Sequence, residues 1–119
     1  MPSDITLYHN PRCSKSRQAL ALLEERNVQP TVVRYLETPP TVEELRSLLG
    51  QLNLTPRDIM RKKEEPYKTL GLDDADLDDN ALLQAMHNHP ILIERPIAHG
   101  NGKAAVGRPP ENVLKVLDQ

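Results

Sequence analysis

The sequence has no phenylalanine, no tryptophan and only three tyrosines, so its core must be built from aliphatic side chains. It has one cysteine. A single thiol excludes an internal disulfide, and any redox cycle must borrow a second thiol from another molecule. No apolar run approaches the roughly 20 residues of a membrane span. The N-terminus also lacks the basic stretch followed by an apolar one that marks a signal peptide. No membrane association is expected, and the cytoplasm is the expected location. Neither sign of charge dominates: 15 Lys and Arg against 17 Asp and Glu leave a net charge of -2. That balance gives no global attraction to nucleic acid or to an acidic membrane surface. Internal repeats, low-complexity tracts and linkers are absent too. What remains is 119 residues with 38% hydrophobic content, enough for one core, and a single domain over 1–119 is expected.

The only cysteine lies in the run Tyr8-His9-Asn10-Pro11-Arg12-Cys13-Ser14-Lys15-Ser16-Arg17. Before it, residues 5–8 read as a short strand, and Asn10-Pro11 marks a loop. After it, Ala19, Leu20, Leu22, Leu23 and Val28 recur at helical spacing, which predicts a helix over 14–27. Cys13 therefore falls at or just before a helix N-terminus. Free N–H groups and the positive end of the helix dipole there favour a thiolate. A cationic His9, Arg12 or Arg17 would act in the same sense. Residues 31–36 read as a second strand, and strand–helix–strand predicts parallel neighbours with a right-handed crossover. The thiol then sits at the carboxyl end of the first strand, where α/β sheets bind ligands.

Thr41 with Glu44 forms a capping-box signature that opens a helix through about Leu49. Thr55-Pro56 opens another, expected to run into Arg61-Lys62-Lys63. A short turn at Pro66-Tyr67 ends at Gly71, and residues 81–87 form a further helix. This helical stretch reads as an insertion over about 41–88. Ile91-Leu92-Ile93 reads as a short strand. Residues 97–99 and 104–106 flank Gly100-Asn101-Gly102-Lys103 as a hairpin, with His99 exposed. Pro109-Pro110 opens a last helix through Leu117.

Three familiar chemistries fail on spacing. The phosphatase loop needs an arginine at a spacing after the cysteine that this chain does not supply. The second cysteine of a C-x-x-C dithiol is replaced by Ser16, which reads equally as a donor to the Cys13 sulfur or as simple polarity at a helix start. A calcium loop starting at Asp74 would need glycine where Asp79 stands and glutamate where Ala85 stands. His87 and His89 have no third ligand nearby in sequence, so no metal site is expected. Arg61, Arg95 and Arg108 each follow an element end, and all three are candidates to converge on the sheet edge near Cys13. A guanidinium fork suits a tetrahedral oxyanion because it donates two hydrogen bonds and stays charged.

Several further stretches match a known family: Tyr35-Leu36-Glu37-Thr38-Pro39-Pro40, Arg61-Lys62, Glu65-Pro66-Tyr67, Gly71-Leu72, His89-Pro90-Ile91-Leu92-Ile93, Arg95-Pro96-Ile97 and Arg108-Pro109. With the cysteine run they span Thr6 to about Leu117, and the chain resembles the glutaredoxin-coupled arsenate reductases of the ArsC family. The resemblance implies an α/β thioredoxin-like fold, with a mixed four-stranded sheet and a helical insertion. It implies that Cys13 attacks arsenate or a similar oxyanion while Arg61, Arg95 and Arg108 hold it. His9 would help ionise the thiol, Asn10, Ser16 and Arg17 would support the loop, and Pro96 would be cis. Glutathione would be a co-substrate with no bound cofactor, and glutaredoxin the protein partner. Ser14-Lys15 departs from the Gly-Thr that well-characterised members carry after the cysteine. Two other readings stay open at this point. One is a glutathione-dependent oxidoreductase acting on disulfides; the other is a regulator resembling the Spx proteins, which typically carry the C-x-x-C switch that this chain lacks.

Overall fold

The computed structural model describes residues 5–117; residues 1–4 and 118–119 of the expected domain lie outside the described residues. The chain forms two compact units, one from the residues through Thr38 together with those from Arg95 onward, the other from Pro39–Glu94. The insertion expected over about 41–88 falls inside the second.

The first unit is a four-stranded sheet in the order β2-β1-β3-β4, with β1 at Thr6–Tyr8, β2 at Thr31–Val33, β3 at Ile97–Gly100 and β4 at Lys103–Val106. β1 and β2 are parallel, whereas β1/β3 and β3/β4 are antiparallel, so the sheet is mixed. Helix α1, Ser14–Glu25, connects the parallel pair. Because side chains alternate along a strand, Ile5 and Leu7 share a face. The register sets Leu7 beside Ala98 and Ala98 beside Ala105, and this row joins Ala19, Leu23, Val28, Val113 and Val116 in one buried core. The small Ala98 and Ala105 leave room for Leu23 and the two valines to fill the space above them.

Helix α1 stops earlier than its apolar pattern. Asn27 takes a left-handed conformation at φ 62°, its N–H bonds the Glu24 carbonyl, and the Val28 N–H bonds the Leu23 carbonyl. This is a Schellman cap, in which Val28 folds back beside Leu23 instead of extending the helix. Strand β2 is likewise shorter than the six residues expected. The Arg34 carbonyl accepts from both Glu37 and Thr38, so the chain turns before Tyr35, which is fully buried. The hairpin forms as its glycine signal predicts, with Asn101 and Gly102 both at positive φ (55° and 73°). His99 is half-buried, not exposed, because its ring stacks on Tyr8 at 5.6 Å. The final segment, Pro110–Val116, is a 3-10 helix closed by i→i+3 bonds such as Leu117 N–H to Leu114 O.

The second unit contains α2 (Val42–Leu52), α3 (Glu65–Thr69) and α4 (Asp79–Asn88). Thr41 and Glu44 form the capping box in both directions, at 2.8 and 3.1 Å. Asp78 caps α4 by accepting from the Ala81 N–H, which gives the acidic run a structural use. Leu45, Leu48 and Leu49 of α2 and Leu82, Leu83 and Met86 of α4 are buried. Two expectations are corrected here. The helix expected from Pro56 into Lys63 is a 3-10 turn at Pro56–Ile59, because Arg61 N–H turns across the chain to the Leu92 carbonyl at 2.7 Å. The strand expected at 91–93 is a 3-10 turn, Pro90–Leu92, followed by a single bridge between Ile93 and Met60. A three-residue apolar run does not distinguish a strand from a buried turn.

Candidate active site

Cys13 is the N-cap residue of α1, with extended backbone at φ -93° and ψ 124°, and its side chain is half-buried. The preceding loop is tied down at nearly every residue. His9 N–H donates to the Val33 carbonyl of β2 at 2.8 Å, and Cys13 N–H to the Asn10 carbonyl at 3.0 Å. The Asn10 side-chain oxygen accepts from Arg12 N–H at 3.0 Å, an Asx turn that shapes the approach to the cysteine. Arg17, one turn into the helix, reaches back to the Pro11 carbonyl at 2.9 Å.

Ser16 is fully buried, and its hydroxyl bonds to the loop that precedes the thiol. Its Oγ accepts from Asn10 N–H at 3.0 Å and lies 2.6 Å from His9 Nδ1. The side chain three residues past the thiol thus holds the loop that precedes it. His9 is perturbed by its surroundings. Burial, then the charges of Arg34 and Arg17, push its pKa below the ordinary 6.5. The imidazole is therefore neutral at neutral pH, and its visible task is to anchor Ser16. Arg34 was not singled out from sequence, yet the register could have revealed it. Tyr8 pairs with Val33 in the parallel ladder, so the next residues, His9 and Arg34, leave the sheet side by side.

A pH dependence follows from His9. Its folded-state pKa is depressed, so below about pH 6.5 the unfolded chain takes up a proton that the folded chain resists, and stability declines as pH falls towards the folded value. Thermal melts should show this loss between neutral and mildly acidic pH. His9→Asn should remove that part of the slope, although its stability at neutral pH will be lower because the Ser16 contact changes.

Of the arginines distant in sequence, Arg108 meets the cysteine and Arg95 supports it through its backbone carbonyl. Arg108 Nη2 lies 4.0 Å from Cys13 Sγ, and its Nε donates to the Arg95 carbonyl at 2.9 Å. Arg95 is half-buried, with Nε and Nη1 shielded from solvent. The Arg95–Pro96 peptide is cis, as the resemblance implies, and Arg108–Pro109 is cis as well. Arg61 belongs to the second unit, where its guanidinium pairs with Glu64 at 3.3 Å. It lines an open cleft of about 470 Å³ with Arg57, Lys62 and Lys63. Among the described residues, no group of three or more His, Cys, Asp or Glu side chains is placed to hold a metal ion.

A β-α-β unit with a thiol at the start of its helix, beside an antiparallel strand entered through a cis-proline, defines a thioredoxin-like protein with a one-cysteine site. The chain belongs to the ArsC family, whose model matches residues 8–116. It is 56% identical over 115 residues to an arsenate reductase of Neisseria meningitidis serogroup A, covering 96% of this chain and 98% of that protein. It is 43% identical to an arsenate reductase of Escherichia coli K12, covering 97% of this chain and 82% of that protein. Among solved structures, an arsenate reductase from Vibrio cholerae superimposes with a TM-score of 0.94 at 55% identity, covering 98% of this chain and all of that one.

Proposed function

We propose that this chain reduces arsenate to arsenite through Cys13, with glutathione and glutaredoxin supplying the electrons. The observation that carries the reading is the approach of Arg108 Nη2 to the only thiol sulfur, with the same side chain bonded to the Arg95 backbone. It sets a cation where a tetrahedral anion would meet the nucleophile. The relatives named as arsenate reductases support the same choice of oxyanion.

The Cys13 sulfur displaces one arsenate oxygen, which leaves as water, and an S–As(V) bond forms. A glutathione sulfur displaces a second oxygen in the same way. A glutaredoxin thiol then attacks the glutathione sulfur. The As–S bonding pair stays on arsenic, which becomes As(III), while two thiols become one mixed disulfide. Water finally releases arsenite from Cys13. The balance is one two-electron reduction against one disulfide formed, so the protein needs only the single cysteine it has. Arg108 and Arg95 would hold the oxyanion, and the family resemblance extends that task to Arg61. A cytoplasmic setting keeps the required thiols reduced.

Arsenate-dependent oxidation of glutathione tests this reading. Turnover should require arsenate, glutathione and glutaredoxin together. No turnover with arsenate from a protein whose thiol still alkylates would move the substrate to another oxyanion or to a disulfide.

A further inference from the structure

Strand β4 ends at Val106, and at the next residue, Gly107, the main chain lies against two other segments. A Cβ added there would stand 2.7 Å from Pro96 Cγ and 2.9 Å from Val113 Cγ1, closer than real Cβ atoms come to other heavy atoms. The backbone is locked in this position. Gly107 N–H donates to the Pro96 carbonyl at 2.8 Å, and Arg108 N–H returns to the Val106 carbonyl at 2.9 Å, closing a three-residue turn about Gly107. Val113 is fully buried in the core and Pro96 is buried, so neither can readily give way to a methyl group. What would move is the main chain at 107 and 108. One residue further, the Asn112 side-chain amide donates to the Arg108 carbonyl at 3.1 Å.

Arg108 is exposed and has many rotatable bonds, so it delivers its charge to one place only if its base is fixed. We propose that Gly107 and Asn112 are positioning residues for Arg108: the bare contact of Gly107 on Pro96 and the amide clasp of Asn112 set the main chain from which the guanidinium reaches Cys13. The proposal rests on the pairing of Arg108 with Cys13 in the function proposed above, and goes beyond it in naming what holds that pairing.

Because Cys13 is the only cysteine, alkylation reports on this site alone. The rate with anionic iodoacetate, divided by the rate with neutral iodoacetamide, measures the cation beside the sulfur and involves no arsenate. One charge pair at 4.0 Å in water changes that ratio by about fivefold, so R108A should lower it by that factor. G107A and N112A should each lower the ratio about two- to fivefold, and neither should lower it further in an R108A background. A general loosening of the fold would change both rates together and leave the ratio alone. Asn112 is half-buried and away from the core, so N112A carries the test if G107A does not fold. Wild-type ratios in the folded variants, or an equal further drop in the R108A background, would overturn the proposal. A ratio that R108A itself leaves unchanged would overturn it together with the Arg108–Cys13 pairing, whereas arsenate turnover reports separately on the substrate.

Discussion

Replacing Cys13 by serine is expected to abolish arsenate reduction, down to the rate without protein, while the fold survives. The loss is expected to be complete because sulfur has two tasks that oxygen cannot share. In the proposed mechanism it is the nucleophile at arsenic, and a hydroxyl is far less ionised and less nucleophilic at neutral pH. It also forms an As–S bond on the path by which electrons reach arsenic from thiols, and no second cysteine stands in for it. The structural cost is small. Cys13 is half-buried at an N-cap, a position that serine fills well, so stability should stay within about 1 kcal/mol of wild type. Glutathione oxidation and a thermal melt on the same preparation check both halves. Turnover persisting in a well-folded C13S protein would remove the thiol, and with it the proposed mechanism.

Arg108→Ala should raise the arsenate KM about ten- to a hundredfold, the effect of losing one charge-assisted hydrogen bond of roughly 1.5–3 kcal/mol. Its side chain is exposed and takes no place in the core, so the melting temperature should change little. Arg108→Lys separates charge from shape. It keeps the cation but loses the fork and the Nε bond to the Arg95 carbonyl, and its KM should fall between wild type and alanine. Steady-state kinetics over a wide arsenate range decide the matter. An unchanged KM for R108A would mean that the guanidinium at 4.0 Å from the sulfur does not meet the substrate.

Much of this site is written locally. The strand–loop–helix pattern around Cys13 identifies the N-cap, because helix starts depend on a few consecutive residues. Thr41 and Glu44 show the start of α2, and Asn101-Gly102 shows the hairpin, for the same reason. The failures are equally physical. Residues 90–93 carry an apolar run too short to show any period, and the helix expected after Pro56 gives way when Arg61 N–H finds a distant carbonyl. Ser16 reads from sequence either as a donor to the thiol three residues earlier or as simple polarity at a helix start. In the structure its hydroxyl serves His9 and Asn10, because the parallel ladder brings His9 out of the sheet directly over it.

The sequence by itself determined which chemistry was available: one thiol at a helix start, no partner for a disulfide, and arginines at element ends. It also determined the elements whose signals close within three or four residues. Only the tertiary structure decided that Arg108, 95 residues from Cys13, reaches the sulfur, and that Gly107 packs on Pro96 while the Asn112 amide bonds the Arg108 carbonyl. The physical reason is range. Capping bonds and turn conformations are fixed by neighbours in the chain. The meeting of Cys13 and Arg108 depends on sheet order, strand register and a contact between Gly107 and Pro96 that forms only when β3 and β4 pair.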